Sequence, residues 1–215
     1  MPRHDSPGPS ESRLIRSHSV TVADPSGLRC HPGSGPGLVR GIGARLGLTG
    51  AGLITVSFSL DGDLGRLRIP RAGPTRRGDR LWEHTCFEAF VAPAAGSAYH
   101  ELNFSPSGEW AEYAFARYRE RELSAQDGDL APEVAVSRGE GRLDLTAVLH
   151  LDRLPLLAGS AGLRVALSAV VEEEGGRLSY WALWHGPGRP DFHHPDAFAL
   201  QLELAGPGGS DPTEG

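Results

Sequence analysis

Carboxylates and aromatic rings are interleaved through one stretch of this chain. It runs Leu81-Trp82-Glu83-His84-Thr85-Cys86-Phe87-Glu88-Ala89-Phe90 and resumes as Tyr99-His100-Glu101-Leu102-Asn103-Phe104-Ser105-Pro106-Ser107-Gly108-Glu109-Trp110. Carboxylates and amides exchange hydrogen bonds with hydroxyl groups, and an indole covers the apolar face of a ring. Together these groups suit a polyhydroxylated small molecule. Trp82, Glu88, Tyr99, Glu101, Asn103 and Trp110 are the candidate ligand-binding residues. The competing expectation is a buried hydrogen-bond network that holds the fold together.

Two other chemistries are within reach of these residue types. Glu83, Glu88 and Glu101 include the acid and nucleophile that glycoside hydrolysis needs, though their spacing selects no pair. His185, Asp191, His193 and His194 lie close together, and with His84 or His100 they form a candidate zinc or iron site. Gly186-Pro187-Gly188-Arg189-Pro190 intervenes between the first two histidines and matches no strong ligand spacing. The plainer expectation is a loop whose histidines are hydrogen-bonded, and His/His haem ligation ranks lower again. Cys86 reads as an inert, buried thiol, and no residue is assigned a catalytic role. Ser105-Pro106-Ser107-Gly108 reads as a tight turn.

Strands must position these groups, because period two dominates the sequence. Leu143, Leu145, Ala147, Leu149 and Leu151 alternate with polar residues, as do Ile54, Val56, Phe58 and Leu60, and Phe198, Leu200, Leu202 and Leu204. Leu163–Val171 and Leu178–His185 form a predicted hairpin turned at Glu174-Gly175-Gly176. Further strands fit 38–48, 66–70, 86–92, 99–105, 109–116 and 133–137. Phe87, Ala89 and Val91 share an apolar face, opposite Cys86, Glu88 and Phe90. If the central strands are neighbours, one face carries Glu88, Tyr99, Glu101, Asn103 and Trp110. Arg117–Gln126 is a short helix or surface loop, and the arginine-rich loop Arg71–Arg80 is solvated. The expected fold is all-β, an antiparallel sandwich or jelly roll with at most one or two short helices. Residues 1–17 and 206–215 read as disordered tails around a single domain over 18–205.

Composition excludes several function classes. The chain of 215 residues has no lysine, and its one methionine is Met1. Schiff-base enzymes, phosphate-loop ATPases and kinases need their lysine. A net charge of −6 argues against nucleic acid or an anionic membrane as partner. No apolar leader is visible near the start, so the expected compartment is the cytoplasm, with Cys30 and Cys86 reduced.

The Trp-Glu-His-Thr-Cys-Phe-Glu-Ala-Phe block and the Tyr-x-Glu-x-Asn-Phe-Ser-Pro-Ser-Gly-Glu-Trp block that follows resemble uncharacterised bacterial DOMON-like proteins. Ser179-Tyr180-Trp181-Ala182-Leu183 and Pro190-Asp191-Phe192-His193-His194 match the same group. That group is similar to family 9 carbohydrate-binding modules and, more remotely, to haem-binding DOMON domains. The resemblance spans roughly residues 28–204 and implies a β-sandwich that binds a ligand. The haem-binding relatives use Met with His or Lys as axial ligands, which this composition does not offer, so no cofactor is expected. The carbohydrate modules clamp sugars between aromatics, for which Trp82, Trp110, Trp181 and Trp184 are available. The expected function is non-catalytic binding of a small molecule, foremost a saccharide. The alternatives are a metal-assisted or glycoside hydrolase, His/His haem binding, and a protein-interaction domain with no small ligand.

Overall fold

Alternation along two long strands, β3 (Val39–Thr49, after a bulge at its start) and β4 (Leu53–Gly62), gives each one apolar and one polar face. A computed structural model describes residues 19–22, 27–49, 52–122 and 130–204. The expected tails lie outside these residues. In the first sheet β3 and β4 sit between β1 (Ser19–Val22) and the pair β11 (Arg142–His150) and β10 (Glu133–Gly139). The order is β1-β3-β4-β11-β10, all antiparallel.

The second sheet is built on β6 (Cys86–Pro93), β7 (Tyr99–Phe104), β8 (Glu109–Arg117) and β12 (Gly162–Glu172). β6 pairs with β7 on one side and β12 on the other, and β7 pairs with β8. β13 (Leu178–Ala182) and β14 (Leu200–Glu203) share the far edge of β12, with β2 (Arg29–Cys30) beyond β13. At the other end β5 (Arg76–Arg77) and β9 (Glu120–Arg121) flank β8. The β5–β8 pair is parallel; the other pairings among the described strands are antiparallel.

The sheets face each other through one continuous apolar cluster. Ile54, Val56, Phe58 and Leu60 come from the first sheet, and Phe87, Leu102, Phe104 and Leu167 from the second. Phe58 and Phe87 stack across the gap with ring centroids 5.0 Å apart. Each such side chain contributes roughly 1.5–3 kcal/mol by leaving water. The all-β sandwich expected from the alternation is the fold observed.

Differences are local. Residues 66–70 form no strand but a bridge from Leu67 to Glu173 and a bond from the Arg68 N–H to the Glu172 carbonyl. β13 ends at Ala182 because the chain then crosses the sheet face. The described part of Arg117–Gln126 is a hairpin turn into β9 and not a helix; residues 123–129 lie outside the described set. Helical structure among the described residues is confined to 3-10 turns of three residues at Leu81–Glu83, Leu151–Arg153, Pro155–Leu157 and Pro195–Ala197. None of the helices is long and apolar enough to cross a membrane.

The second sheet is covered on both faces. Its outer face packs a separate cluster of Phe90, Tyr99, Tyr113 and Phe115 against Trp82, Phe192 and Phe198. That is why β6 and β7 are buried almost throughout.

Candidate functional site

Register decides which side chains share the outer face. Glu88 stands opposite Asn103, Phe90 opposite Glu101, Glu101 opposite Tyr113, and Tyr99 opposite Phe115. Glu88, Phe90, Tyr99, Glu101, Asn103, Tyr113 and Phe115 therefore point the same way. Trp110 does not. It pairs with Phe104 and turns into the core between the sheets, where the Arg77 guanidinium sits 5.4 Å from its ring. The expectation that Trp110 shares the carboxylate face is corrected, because β7–β8 register gives those places to Tyr113 and Phe115. Trp181 is likewise in the core, its indole N–H donating to Ser179 Oγ at 3.0 Å. Trp184 stacks on His194 at 4.8 Å, which leaves Trp82 as the tryptophan that lines the site.

Above Glu88 and Glu101 lies an open cavity of about 680 Å³. Its walls include Phe90, Phe115, Trp82, Tyr180 and Phe192, and its rim carries Arg80, Arg119 and Arg121. The segment 183–198, for which a loop of hydrogen-bonded histidines is the plainer expectation and a metal site the other, crosses this face. It delivers Phe192 and His193 to the cavity wall.

The floor is a network of buried polar groups. Asn103 Nδ2 donates to Glu101 Oε1 at 2.8 Å, and Ser168 Oγ donates to Glu88 Oε2 at 3.1 Å. Burial pushes the Glu88 carboxyl well above its ordinary range, helped by repulsion from Glu101 and opposed by Ser168. Burial also raises Glu101, while Asn103 and the charges of Arg121 and Arg119 pull the other way. One of this pair is thus held neutral more readily than an ordinary glutamate, and can donate as well as accept hydrogen bonds.

His193 is locked by its neighbours. Its Nδ1 lies 2.8 Å from the Tyr99 hydroxyl and its Nε2 3.6 Å from Glu101 Oε2. The Arg119 backbone N–H donates to that hydroxyl at 3.1 Å. Burial, then the Arg119 charge, lowers His193 to about 4, so it is neutral at physiological pH. Burial raises the Tyr99 phenol to about 12, keeping it a donor.

Two rim arginines repeat one device. Arg80 and Arg119 both occupy the left-handed region, at φ 53 and 55°. Each gives its backbone N–H to a tyrosine hydroxyl on the sheet face, Tyr113 and Tyr99 respectively. Such non-glycine conformations cost of order 1 kcal/mol or more and persist where the surroundings impose them. The guanidiniums are then anchored, Arg80 on Glu83 and Arg119 on Asp191 at 2.8 Å. Burial works against the Asp191 carboxylate, yet hydrogen bonds from Tyr118 and Arg119 hold it below its usual range. Arg121 instead lies over the Tyr113 ring at 4.0 Å, with Trp82 edge-on to the same ring at 5.2 Å.

Of the six candidates, Trp82, Glu88 and Glu101 line the cavity. Asn103 is wholly buried beneath Glu101, Tyr99 braces His193 and Arg119, and Trp110 is elsewhere. The candidate metal ligands are not brought together. His185 Nε2 donates to the Arg29 carbonyl at 2.8 Å, His194 Nδ1 accepts the Asp196 N–H at 3.2 Å, and Asp191 holds Tyr118 and Arg119. His84 and His100 pair instead with Glu172 and Glu112, each at 2.8 Å. Among the described residues no three metal-ligating side chains converge. Sequence reasoning missed Arg80, Arg119, Arg121, Tyr113 and Phe115. The alternation along β8 was the available signal for the last two; the arginines carried none.

No family model matches the chain, and no curated protein matches it either. A solved structure from Bacteroides uniformis, named a "putative carbohydrate-binding protein", superimposes with a TM-score of 0.59 at 16% identity. The match covers 87% of this chain and 86% of that one. At that identity the likeness concerns the fold.

Proposed function

We propose that the cavity over Glu88 and Glu101 binds a carbohydrate or sugar derivative without transforming it, in a DOMON-like sandwich akin to family 9 carbohydrate-binding modules. The observation that carries this reading is the pairing of two buried, differently held carboxyls with aromatic walls around an open cavity. A neutral carboxyl donates to a hydroxyl and an ionised one accepts from it, so together they read the mixed donor and acceptor pattern of a polyol. Trp82, Phe90 and Phe115 cover apolar C–H faces. The volume falls in the range of small-molecule sites, roughly 300–1,000 Å³. The Bacteroides uniformis neighbour, described as a "putative carbohydrate-binding protein", points the same way. The interaction-domain alternative is less well supported, since Tyr118 alone stands out as an exposed large apolar side chain among the described residues.

Titrating a broad glycan panel against tryptophan fluorescence tests the reading. A saturable change is expected, and Trp82→Phe removes most of it because Trp110 and Trp181 lie in the core. No response from folded protein to any glycan overturns it.

The unequal carboxyls also favour a second reading, hydrolysis of a glycoside with Glu88 as acid. Release of nitrophenol from aryl glycosides, abolished in Glu88→Gln, would establish it; turnover unchanged in that variant, or none at all, removes it.

A further inference from the structure

The cavity does not end at its rim. A second hollow of about 390 Å³ adjoins it, and the two share Arg119 and Pro190 as common wall. The Arg119–Asp191 ion pair, at 2.8 Å, stands between them. On its far side are Tyr118, Arg189 and His194. Tyr118 is 52% exposed, and no core packing accounts for its ring. The ring is nonetheless fixed. Its hydroxyl donates to Asp191 Oδ2 at 2.8 Å, and the Arg119 guanidinium lies 5.7 Å from its centroid. A solvent-open aromatic held in place beside a polar hollow offers a stacking surface with little conformational entropy left to lose on binding. Arg189 adds guanidinium donors with no carboxylate of the described residues in ion-pair range.

Resting on the carbohydrate reading of the first cavity, we propose that the two hollows form one elongated site for an oligosaccharide. One sugar unit sits over Glu88 and Glu101, and a following unit crosses the Arg119–Asp191 pair to stack on Tyr118. The same groups that close the first cavity thus set the path of the chain. Asp191 holds the Tyr118 ring and the Arg119 side chain, and it also accepts the His193 backbone N–H at 3.1 Å.

Calorimetric titration with glucose, galactose, mannose, xylose and N-acetylglucosamine, each as monomer, dimer and tetramer, tests the proposal on the full chain. For the sugar that binds, the tetramer should bind about tenfold more tightly than the monomer. Tyr118→Ala should bring the tetramer down to monomer affinity and leave the monomer unchanged, while Tyr118→Phe, which keeps the ring but loses its bond to Asp191, should retain only part of the tenfold gain. Equal affinity for all lengths, or a Tyr118→Ala protein that still prefers the tetramer, overturns the elongated site while leaving the first cavity's reading intact. Loss of monomer and tetramer binding together in Tyr118→Ala also overturns it, since the ring then acts on the first cavity. Silence from every sugar overturns both.

Discussion

His193 makes no metal site, yet its protonation state is tied to the fold. It is neutral because burial and Arg119 lower it to about 4, against 6.5 in an unfolded chain. A lowered imidazole contributes stability that is complete above pH 6.5 and is lost as pH falls from there through 4. The full effect amounts to about 3 kcal/mol. Glu88 and Glu101 act in the opposite sense, since raised carboxyls favour the fold below the usual carboxylate range and cost stability as pH rises through their shifted values. The melting temperature is therefore expected to fall between pH 6.5 and 4 more steeply for the native protein than for His193→Gln. Parallel curves would show that the imidazole titrates in the fold as it does in water. The second residue to probe is His100, buried on the inner face with Glu112 at 2.8 Å and accepting the Leu156 N–H at 3.2 Å. Among the described residues His100→Ala leaves Glu112 with the more distant Arg77, at 3.8 Å, and should cost about 3–5 kcal/mol in urea unfolding. His100→Gln should recover part of the loss.

The elements that bear on the site are β6, β7 and β8, and their turns fix the register that aligns Glu88, Glu101 and Tyr113. The turn from β7 to β8 closes with the Gly108 N–H on the Ser105 carbonyl at 3.0 Å. Gly108 has φ +88°, and a Cβ there would meet the Gly73 carbonyl oxygen at 2.9 Å. Both the backbone conformation and the Gly73-Pro74 segment that leads into β5 exclude a side chain. Gly108→Ala should destabilise by more than about 1 kcal/mol and, by disturbing β8, weaken saccharide binding as well. A variant that melts like the native protein would show that the turn tolerates rearrangement.

At the level of the whole molecule, both sheets contribute to one buried cluster. Neither sheet could bury its apolar face without the other. A single cooperative unfolding transition is expected, with far-ultraviolet dichroism and the fluorescence of Trp110 and Trp181 moving together. Separated midpoints would mean that the second sheet and its outer cover unfold as a unit of their own. That cover sits on the face opposite the shared core and is built from segments distant in sequence: Trp82, Phe192 and Phe198. Its job in the fold is to shield the far side of β6 and β7, and the gap it leaves is the cavity.

Much of this was legible beforehand, for a physical reason. Period-two alternation is a property of the chain alone, so β3, β4, β11 and β12, the two-sheet architecture and the polar character of 88–103 all follow from it. The carboxylates were legible as candidates because glutamates on a strand otherwise rich in aromatics are costly to bury without a role or partner. Which side chains meet was not legible. Strand register and the long crossing of 183–198 join residues a hundred positions apart, and no local pattern encodes them. Alternation puts Trp110 and Tyr113 on opposite faces of β8, but only pairing with β7 decides which of them turns inward. His193 moved from a supposed metal cluster to the cavity wall, and Arg80, Arg119 and Arg121 became its rim. By itself the sequence determined that this is a sandwich with a polar, aromatic strand face, since alternation and burial energy act residue by residue. The tertiary structure decided that this face opens into a cavity and which groups surround it, because a cavity exists only where distant segments pack together and fail to fill the space between them.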